Sequence, residues 1–449
     1  MRLQRPPDIS DVNPGRQFLR AMRSPEVQQF IAKANREYYH WDELRRRPQP
    51  AGLTDVQAWM AVKWSRAIQT RLPFTDPAGS PFQYWLPDDA LQTLHRVDRS
   101  GGGLVGFDID DPDLLEQMRE RILIDAHMEE AIATSQIEGA VTTRQRAKDM
   151  LRSGRRPRDR SEQMIVNGYR TVRMLRDRAS EPMTVTTLFD IQRSMTEGTL
   201  DDPTHSGRFR TPDDPDVYVV DARDGEVVFS PPPAESVERR IELLIDFANA
   251  PAEGQPFMHP LVRAVVLHFW LAYEHPFYDG NGRTARALFY WYMLKSGYWL
   301  FEFLTISRII NASRMGYYRA FLHTETDDND VTYFLIHQLD VVRRALEELH
   351  ERLKEMSAQQ RRVGAIRRVS GLNARQRALL DHALRHPTQI YTFESHQRSH
   401  GVTYQTARTD LLGLHHRGLF EMLPSKKPIQ FTPADELRKK LNAPTRRSR

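Results

Sequence analysis

Residues His275–Arg286 read HPFYDGNGRTAR and stand between two strongly apolar segments, LVRAVVLHFWLAYE at residues 261–274 and ALFYWYMLKSGYWL at residues 287–300. The flanking segments predict two buried helices, so the polar loop between them is costly unless it binds something. The Gly-Asn-Gly centre then opens a helix whose first turns carry Arg283 and Arg286. Unpaired N–H groups at a helix N-terminus, together with cationic side chains, predict an anion site, most naturally for phosphate.

The composition predicts a folded protein without cysteine chemistry. Its 449 residues are enough for about three domains, and an apolar content of 40% argues against disorder. The lack of cysteine excludes a disulfide scaffold, a thiolate metal site and a cysteine nucleophile, and fits a reducing compartment. The N-terminus shows no secretory signal, and the apolar stretch at residues 261–273 is too short and too interrupted to span a bilayer. We therefore expect a cytoplasmic protein without a membrane partner.

Residues 1–105 are predicted to form an N-terminal helical region. The segments at residues 14–44 and 54–72 carry apolar residues at helical spacing, and Thr54 is a candidate N-cap. Residues 73–87 are predicted to form a loop, and RSGGGLVG at residues 99–106 a linker.

Residues 106–358 are predicted to form a helical domain with one hairpin. A long helix is expected at about residues 112–139, and Gly139 is a suitable stop. The β-branched runs VYVV and EVVF, separated by DARDG, predict a hairpin at about residues 217–231 and the only β element in the first 360 residues. Such a hairpin is either an ornament or a flap whose exposed edge pairs with an extended substrate.

Residues 359–449 differ from the rest of the chain in charge and in pattern. They carry 18 Lys/Arg against 6 Asp/Glu, a net charge of +12, which leaves −7 for the preceding residues. Three helical segments and a final hairpin predict a winged helix-turn-helix, and the positive charge favours DNA as its partner. The residues expected to contact DNA start the recognition helix or lie at the wing tip: Thr403, Tyr404, Gln405, Thr406, Arg408, Lys426 and Lys427. A packing domain or a protein docking module would use the same pattern without touching DNA.

The central loop resembles the signature H-x-F-x-D/E-G-N-G-R-x-x-R of the Fic family. Two further segments support the resemblance: TSQIEG at Thr134–Gly139 is similar to the inhibitory pattern S/T-x-x-x-E-G/N of the N-terminally autoinhibited subclass, and the hairpin resembles the flap that binds substrate in this family. The resemblance covers about residues 112–350. It implies a mainly α fold: a helical Fic domain with a β-hairpin flap, to which this chain adds an N-terminal helical region and a C-terminal winged helix-turn-helix.

The resemblance implies a protein adenylyltransferase that moves AMP from ATP to a hydroxyl of Ser, Thr or Tyr in a target protein, or in the chain itself. Such a nucleophile needs a general base, and His275 is the only group of the motif that accepts a proton near neutral pH. Asp279 offers the oxygen ligand that Mg²⁺ prefers. The other expected contacts are to ATP: Asn281, Gly280 and Gly282 at the α-phosphate, Arg283 at the β-phosphate and Arg286 at the γ-phosphate.

The inhibitory pattern assigns a second role to the same site. In this interpretation Glu138, flanked by Thr134 and Gly139, pairs with Arg286, takes the place of the γ-phosphate and lowers basal transfer. The same glutamate could instead orient a water molecule for the removal of AMP. The flap strand Val227, Val228 and Phe229 is expected to bind the target, and either Tyr317 or Tyr318 to stack on the nucleotide base.

Two alternatives remain open on the sequence alone. The chain could be a DNA-binding transcriptional regulator whose Fic domain senses nucleotide, or removes AMP, with little transferase turnover. The transferred group could also be UMP, phosphate or phosphocholine, although the intact GNGRxxR pattern favours a nucleoside triphosphate. Either alternative is compatible with a homo-oligomer.

Overall fold

The computed structural model of the chain describes residues 3–10, 12, 14–101, 112–220, 225–251, 254, 257–424, 428–435, 437 and 441. The described residues up to Leu349 form one compact unit, and those from His350 onward belong to a second. The division into three domains at residues 105 and 358 stays a prediction. No helix in the described ranges has the length and apolar character needed to cross a membrane.

Short helices make up most of the N-terminal part of the first unit. They are α1 (Gly15–Ala21), α2 (Pro25–Arg36), α3 (Trp41–Leu44), α4 (Asp55–Ser65) and α5 (Asp88–Gly101). Thr54 caps α4 as predicted, since its hydroxyl accepts the backbone N–H of Gln57 and the Gln57 side chain bonds back to the cap. Apolar side chains of α1 to α4, among them Phe18 and Trp59, form one hydrophobic cluster.

One element of this region was predicted wrongly. Strands β1 (Thr70–Thr75) and β2 (Pro81–Tyr84) form an antiparallel hairpin where we expected a loop at residues 73–87 and no strand. Alternate residues form its buried face: Leu72, Phe74, Phe82 and Tyr84. This period of two is a strand pattern, but Pro73 and Pro81 obscured it because proline cannot donate to a ladder and is tolerated only in short edge strands.

The central part of the first unit contains the long predicted helix and the two apolar helices. Its helices are α6 (Pro112–Ile137), α7 (Arg144–Ser153), α8 (Arg160–Asp177), α9 (Val185–Thr196), α10 (Val237–Asn249), α11 (Pro260–Glu274), α12 (Asn281–Lys295), α13 (Ile306–Ala312) and α14 (Arg314–Thr326). Short 3-10 helices lie at Pro203–His205, Ala234–Ser236 and Trp299–Phe303. Nearly every side chain of α11 and α12 is buried, and α12 contacts α11, α8, α9 and α6. The pair therefore forms the core that positions the loop at residues 275–280.

The predicted hairpin consists of strands β3 (Val219–Val220) and β4 (Val227–Phe229), which pair antiparallel. Residues 221–224, at its predicted tip, lie outside the described residues. With the helices around it, this small hairpin gives the mainly α fold that the sequence predicts.

Helix α15 (Thr332–Arg368) begins in the first unit and ends in the second. The second unit then contains α16 (Ala374–Arg385), α17 (Phe393–His400) and α18 (Tyr404–His416). Its strands β5 (Tyr391–Thr392), β6 (Phe420–Met422) and β7 (Gln430–Pro433) form an antiparallel sheet in the order β5-β7-β6. Gly401 ends α17 in the left-handed conformation and allows the short turn into α18.

Candidate active site

The loop quoted above begins at the C-terminus of α11 and ends at the N-terminus of α12. His275 follows α11 with φ 48° and ψ 54°, and Gly280 precedes α12 with φ 86°. A residue other than glycine in this left-handed region is uncommon and persists only where its surroundings hold it. These two turns bring the polar groups of the loop to a helix N-terminus, where unpaired N–H groups favour an anion.

The imidazole of His275 is held as a proton acceptor. Its Nδ1 lies 2.8 Å from the carbonyl oxygen of Ala272. Because a carbonyl oxygen only accepts, Nδ1 must carry the proton, and Nε2 keeps a lone pair. Burial has the largest influence on the pKa of His275 and lowers it below the ordinary value of 6.5. The ring is therefore neutral at physiological pH.

Two side-chain amides brace the middle of the loop. The Oδ1 atom of Asn281 accepts the Phe277 N–H at 2.9 Å, and its Nδ2 donates to the Phe277 carbonyl at 2.8 Å. Gln192 of α9 donates to the Asp279 carbonyl at 3.1 Å and accepts the Gly207 N–H at 2.6 Å. We expected the Asn281 side chain to face a phosphate. Instead, both of its ends bond to Phe277, because backbone groups buried in a tight turn need partners outside a helix or sheet.

Asp279, the candidate metal ligand, has two oxygens in different surroundings. Its Oδ1 accepts the Gly280 N–H and lies 3.1 Å from Arg283 Nη2, whereas its Oδ2 lies 3.9 Å from Arg160 Nη2. The side chain is 37% exposed. Among the described residues there is no cluster of three or more acidic or histidine side chains that would enclose a metal. Asp279 nevertheless fits Mg²⁺, which commonly takes one or two carboxylates and completes its shell with phosphate and water.

Both arginines of the motif are buried in α12. Arg283 donates to the Met195 carbonyl at 2.8 Å, and Arg286 donates from Nε to Thr134 Oγ1 at 2.8 Å. Each guanidinium also has one buried nitrogen without a partner in the described part of the chain, Nε in Arg283 and Nη1 in Arg286. A buried cationic N–H without an acceptor is costly, so these groups are suited to a site that receives an anion.

Glu138 lies where that anion is expected. Its Oε1 is 2.8 Å from Arg286 Nη2, and α6 brings it there one helical turn beyond Thr134. A Cβ atom on Gly282 would overlap Glu138 Oε1. The carboxylate therefore rests directly on the backbone at the start of α12. Gly139 follows with φ 94°, as expected of the residue that ends α6.

The two tyrosines of α14 are in different environments. Tyr317 is 3% exposed, and its hydroxyl lies 2.9 Å from Nε2 of the buried His268. Tyr318 is 37% exposed. Only Tyr318 of the two has a ring that a nucleotide base could reach without a rearrangement of the core.

The flap strand faces both protein and solvent. Val227 is 55% exposed and Val228 is partly exposed, whereas the Phe229 ring packs 5.1 Å from the ring of Tyr273 in α11. The strand is thus attached to α11, the helix that His275 follows, while its other side chains remain accessible.

Sequence reasoning missed Arg210, Gln192 and the pair formed by Arg240 and Glu274. Arg240 holds Glu274, the residue before His275, through Nε–Oε2 at 2.6 Å. None of the three groups belongs to the motif, and Arg210, Gln192 and Arg240 are separated from it by many residues. A single sequence offered no signal for them, because only the fold brings them to the loop.

The predicted DNA-binding residues cluster at the start of α18. Thr403 caps the helix by accepting the Thr406 N–H at 3.2 Å, and Thr406 is partly buried. Three neighbouring side chains are exposed: Tyr404, Gln405 and Arg408. Lys426 and Lys427, predicted for the wing tip, lie outside the described residues.

Comparison with known proteins agrees with this geometry. Residues 182–293 match the sequence profile of the Fic/DOC family. Over 97 residues the chain is 38% identical to the protein adenylyltransferase fic-1 of Caenorhabditis elegans, a match that covers 22% of this chain and 17% of that protein. Over 119 residues it is 30% identical to the protein adenylyltransferase Fic of Nematostella vectensis, which covers 26% of this chain and 25% of that protein. The chain therefore matches no more than a quarter of the length of these relatives.

A solved structure of residues 134–508 of Fic-1 from C. elegans shares the fold. The comparison has a TM-score of 0.51 at 19% identity and covers 76% of this chain and 88% of that one. At this identity the likeness concerns the fold alone. The profile match, the shared fold and the loop geometry agree on one conclusion: residues 182–293 of this chain are a domain of the Fic/DOC type.

Proposed function

We propose that the chain is a protein adenylyltransferase that transfers AMP from ATP to a Ser, Thr or Tyr hydroxyl of a target protein or of the chain itself. The observation that carries this proposal is the neutral His275, whose Nε2 is left to accept a proton in the same braced loop that leads to the α12 N-terminus. A base beside an anion site is the arrangement that nucleotidyl transfer requires. Both sequence relatives are named protein adenylyltransferases, which supports the same reaction.

In this mechanism Nε2 of His275 takes the proton of the target hydroxyl as its oxygen attacks the α-phosphorus. The bond between the α-phosphorus and the bridging oxygen breaks, and pyrophosphate leaves. Backbone N–H groups at the start of α12 and the guanidinium of Arg283 stabilise the charge that develops on the phosphates. Asp279 would hold Mg²⁺, which supplies further neutralisation of the phosphate charge.

We also propose that Glu138 inhibits this reaction. A γ-phosphate that reaches Arg286 would have to take the place of the Glu138 carboxylate, which lies 2.8 Å from the Arg286 guanidinium. Two negative groups cannot share that site without strong repulsion. The contacts that support this role are those of Thr134, in the last turn of α6, and of Glu138, which directly follows the helix, with the same buried arginine.

We propose that the flap binds the target as an added strand. Strand β4 is short and its Val227 side chain is exposed, so an extended segment with a hydroxyl side chain could pair with its backbone. The attachment of Phe229 to Tyr273 would hold that segment near His275.

Mass spectrometry tests the transferred group directly. The Glu138→Gly protein is incubated with ATP, GTP, CTP or UTP in the presence of lysate proteins, and modified peptides are identified. We expect AMP on hydroxyl side chains of the chain or of a lysate protein, with ATP as the donor. Transfer of UMP or phosphate in place of AMP would contradict the proposal, and so would the absence of any adduct.

A DNA-binding regulator is the second candidate function, and the exposed residues at the start of α18 favour it. The order of helices and strands in the second unit fits a winged helix-turn-helix. Anisotropy of a labelled DNA duplex tests this role: Arg408→Ala should weaken binding and lower the salt slope by about one. Arg385→Ala, whose guanidinium pairs with Asp381, serves as the control. A duplex that does not bind at low salt would exclude DNA as the partner.

A further inference from the structure

Arg210 connects the segment that follows the flap to the backbone of His275, the candidate catalytic residue. Its Nε donates to the His275 carbonyl at 2.7 Å, and its Nη2 donates to the carbonyls of Glu274, at 3.2 Å, and Pro232. The backbone N–H of Arg210 donates to the Pro276 carbonyl at 2.9 Å. One residue thus bonds to three consecutive residues around the end of α11 and to one residue that follows the flap.

These bonds hold the backbone conformation of His275, on which its role as a base depends. The last carbonyls of a helix have no partner within the helix and are commonly satisfied by cationic side chains. Here the guanidinium satisfies Glu274 and His275 while His275 holds its left-handed backbone conformation, with φ 48°. That conformation turns the imidazole so that Nδ1 meets the Ala272 carbonyl and Nε2 is left to accept a proton.

The bond to Pro232 extends this control to the flap. Strand β4 ends at Phe229, and Pro231, Pro232 and Pro233 follow almost at once. Because proline has a fixed φ, a carbonyl fixed in this stiff segment determines the direction in which the strand leaves. The flap and His275 are therefore both attached to the guanidinium of Arg210.

Charge neutralisation does not explain the position of Arg210. The charges of Glu274, Glu235 and Asp216 act on Arg210. None of the three accounts for the direction of its donors, and Arg240 already holds both oxygens of Glu274, at 2.6 and 2.9 Å. Within the part of the chain that the structure describes, the hydrogen bonds of the Arg210 side chain all go to backbone carbonyls. The planar guanidinium of Arg210 donates to carbonyls of two separate segments, so it determines the position of these segments relative to each other.

We propose that Arg210 is a positioning residue that keeps the flap in register with His275, so that a target hydroxyl bound at the flap arrives at Nε2. This inference rests on the proposed transfer reaction for its effect on rate, but the coupling of flap and loop is a property of the fold. Loss of the guanidinium releases both segments together. A misplacement of about 1 Å can reduce a rate about 100-fold, even when the chemical groups remain.

The test compares Arg210→Ala and Arg210→Lys with Arg208→Ala, all in the Glu138→Gly protein. Arg208 is a matched control because it lies two residues away and pairs with Asp214, not with the loop. Hydrogen–deuterium exchange is measured at the amides of residues 227–229 and 277–280. Transfer of radiolabelled AMP to the chain is measured at saturating ATP, with and without added guanidinium chloride at millimolar concentration.

For Arg210→Ala we expect faster exchange in both segments together, an auto-modification rate lower by about 100-fold, an unchanged ATP affinity and partial rescue by guanidinium. Arg210→Lys should give an intermediate rate, and Arg208→Ala should change neither segment. Unchanged exchange in both segments would overturn the inference. A general rise in exchange throughout the unit in both Arg210 variants would also overturn it, because it would show that Arg210 only stabilises the fold. If the Glu138→Gly protein transfers no AMP while the two segments still loosen together, the proposed function fails and the coupling stands.

Discussion

At the scale of single residues, the backbone of His275 matters as much as its side chain. Its left-handed conformation follows directly on the last turn of α11, so its own Nδ1 reaches back to the Ala272 carbonyl. This one hydrogen bond selects the tautomer in which Nε2 accepts. A histidine elsewhere in the motif would not have this geometry, even with the same neighbours.

The pH dependence of transfer follows from the same residue. Because burial lowers the pKa of His275 below 6.5, the base is deprotonated throughout the neutral range and gains its proton only at lower pH. We expect kcat for auto-modification to be constant from about pH 7 upward and to fall only below pH 6.5. An acidic limb with its midpoint above pH 6.5 would contradict the neutral, buried state of His275.

The sequence predicted the residues of the site better than their contacts. Register within HPFYDGNGRTAR was enough to nominate His275, Asp279 and both arginines. The engagement of Asn281 with Phe277 and the burial of Tyr317 were not predictable, because they depend on how a tight turn satisfies its own backbone and on which face of α14 packs inward.

At the scale of elements, helix α6 is held to the site by more than Glu138. Glu130, one turn before Thr134, is 3% exposed and accepts hydrogen bonds from the N–H and the hydroxyl of Ser307 in α13. Closer to the C-terminus of the same helix, Gln136 Oε1 accepts from Asn311 Nδ2 at 3.0 Å. These contacts fix α6 on α13, so the position of Glu138 depends on the whole helix.

Removal of one of these contacts should relieve inhibition in part. Ser307→Ala leaves the buried Glu130 carboxylate with one donor fewer, a loss of about 1–3 kcal/mol. If part of that energy holds α6 in its inhibitory position, basal auto-modification should rise by up to about tenfold, less than in Glu138→Gly. Ser135→Ala is the control, because Ser135 is equally buried but its hydroxyl, in the described part of the chain, bonds within α6, to the Ala131 carbonyl. Equal rates for Ser307→Ala and the unaltered protein would show that Glu138 does not depend on this anchor.

Helical periodicity identified the long helices well and the short hairpins unevenly. The VYVV and EVVF runs were visible because β-branched residues flank a turn, whereas β1 and β2 contain prolines and only four inward residues. What the pattern could not supply was the partner of each element, since the contact of α6 with α13 joins segments more than 150 residues apart.

At the scale of the whole molecule, the N-terminal region packs on α11, the helix that His275 follows. Phe74 of β1 stacks on Trp270 of α11 with ring centroids 4.0 Å apart, and Arg240 bonds both to Glu274 and to the Thr75 carbonyl. A role for the first hundred residues could not be predicted from the sequence, because these contacts are long-range. Their effect is to support α11 near its C-terminal end.

A second contact of the N-terminal region makes stability depend on pH. The rings of His40 and His323 stack 4.3 Å apart, and burial lowers their pKa values to about 4 and about 3. Asp42, Lys63, Arg66 and Arg319 also act on the pair, but burial dominates. In the unfolded chain both residues titrate near 6.5, so the unfolded state binds more protons below that pH.

Stability from this pair should therefore be complete above pH 6.5 and decline as the pH falls toward 4, by up to about 1.4 kcal/mol per pH unit for each histidine. Thermal unfolding at several pH values measures the slope. His323→Phe keeps an aromatic ring in place and removes one titrating group, so its Tm should fall less steeply between pH 6.5 and pH 5. Parallel slopes for the two proteins would mean that the pair does not contribute.

The most direct test of the central claim is the transfer of label from ATP radiolabelled at the α-phosphate to the purified chain. Three proteins are compared: the unaltered chain, Glu138→Gly and the double variant Glu138→Gly/His275→Ala. We predict little label on the first, much more on the second and none above background on the third. Equal labelling of the second and third proteins would contradict the role of His275 as the base, and equal labelling of the first and second would contradict inhibition by Glu138.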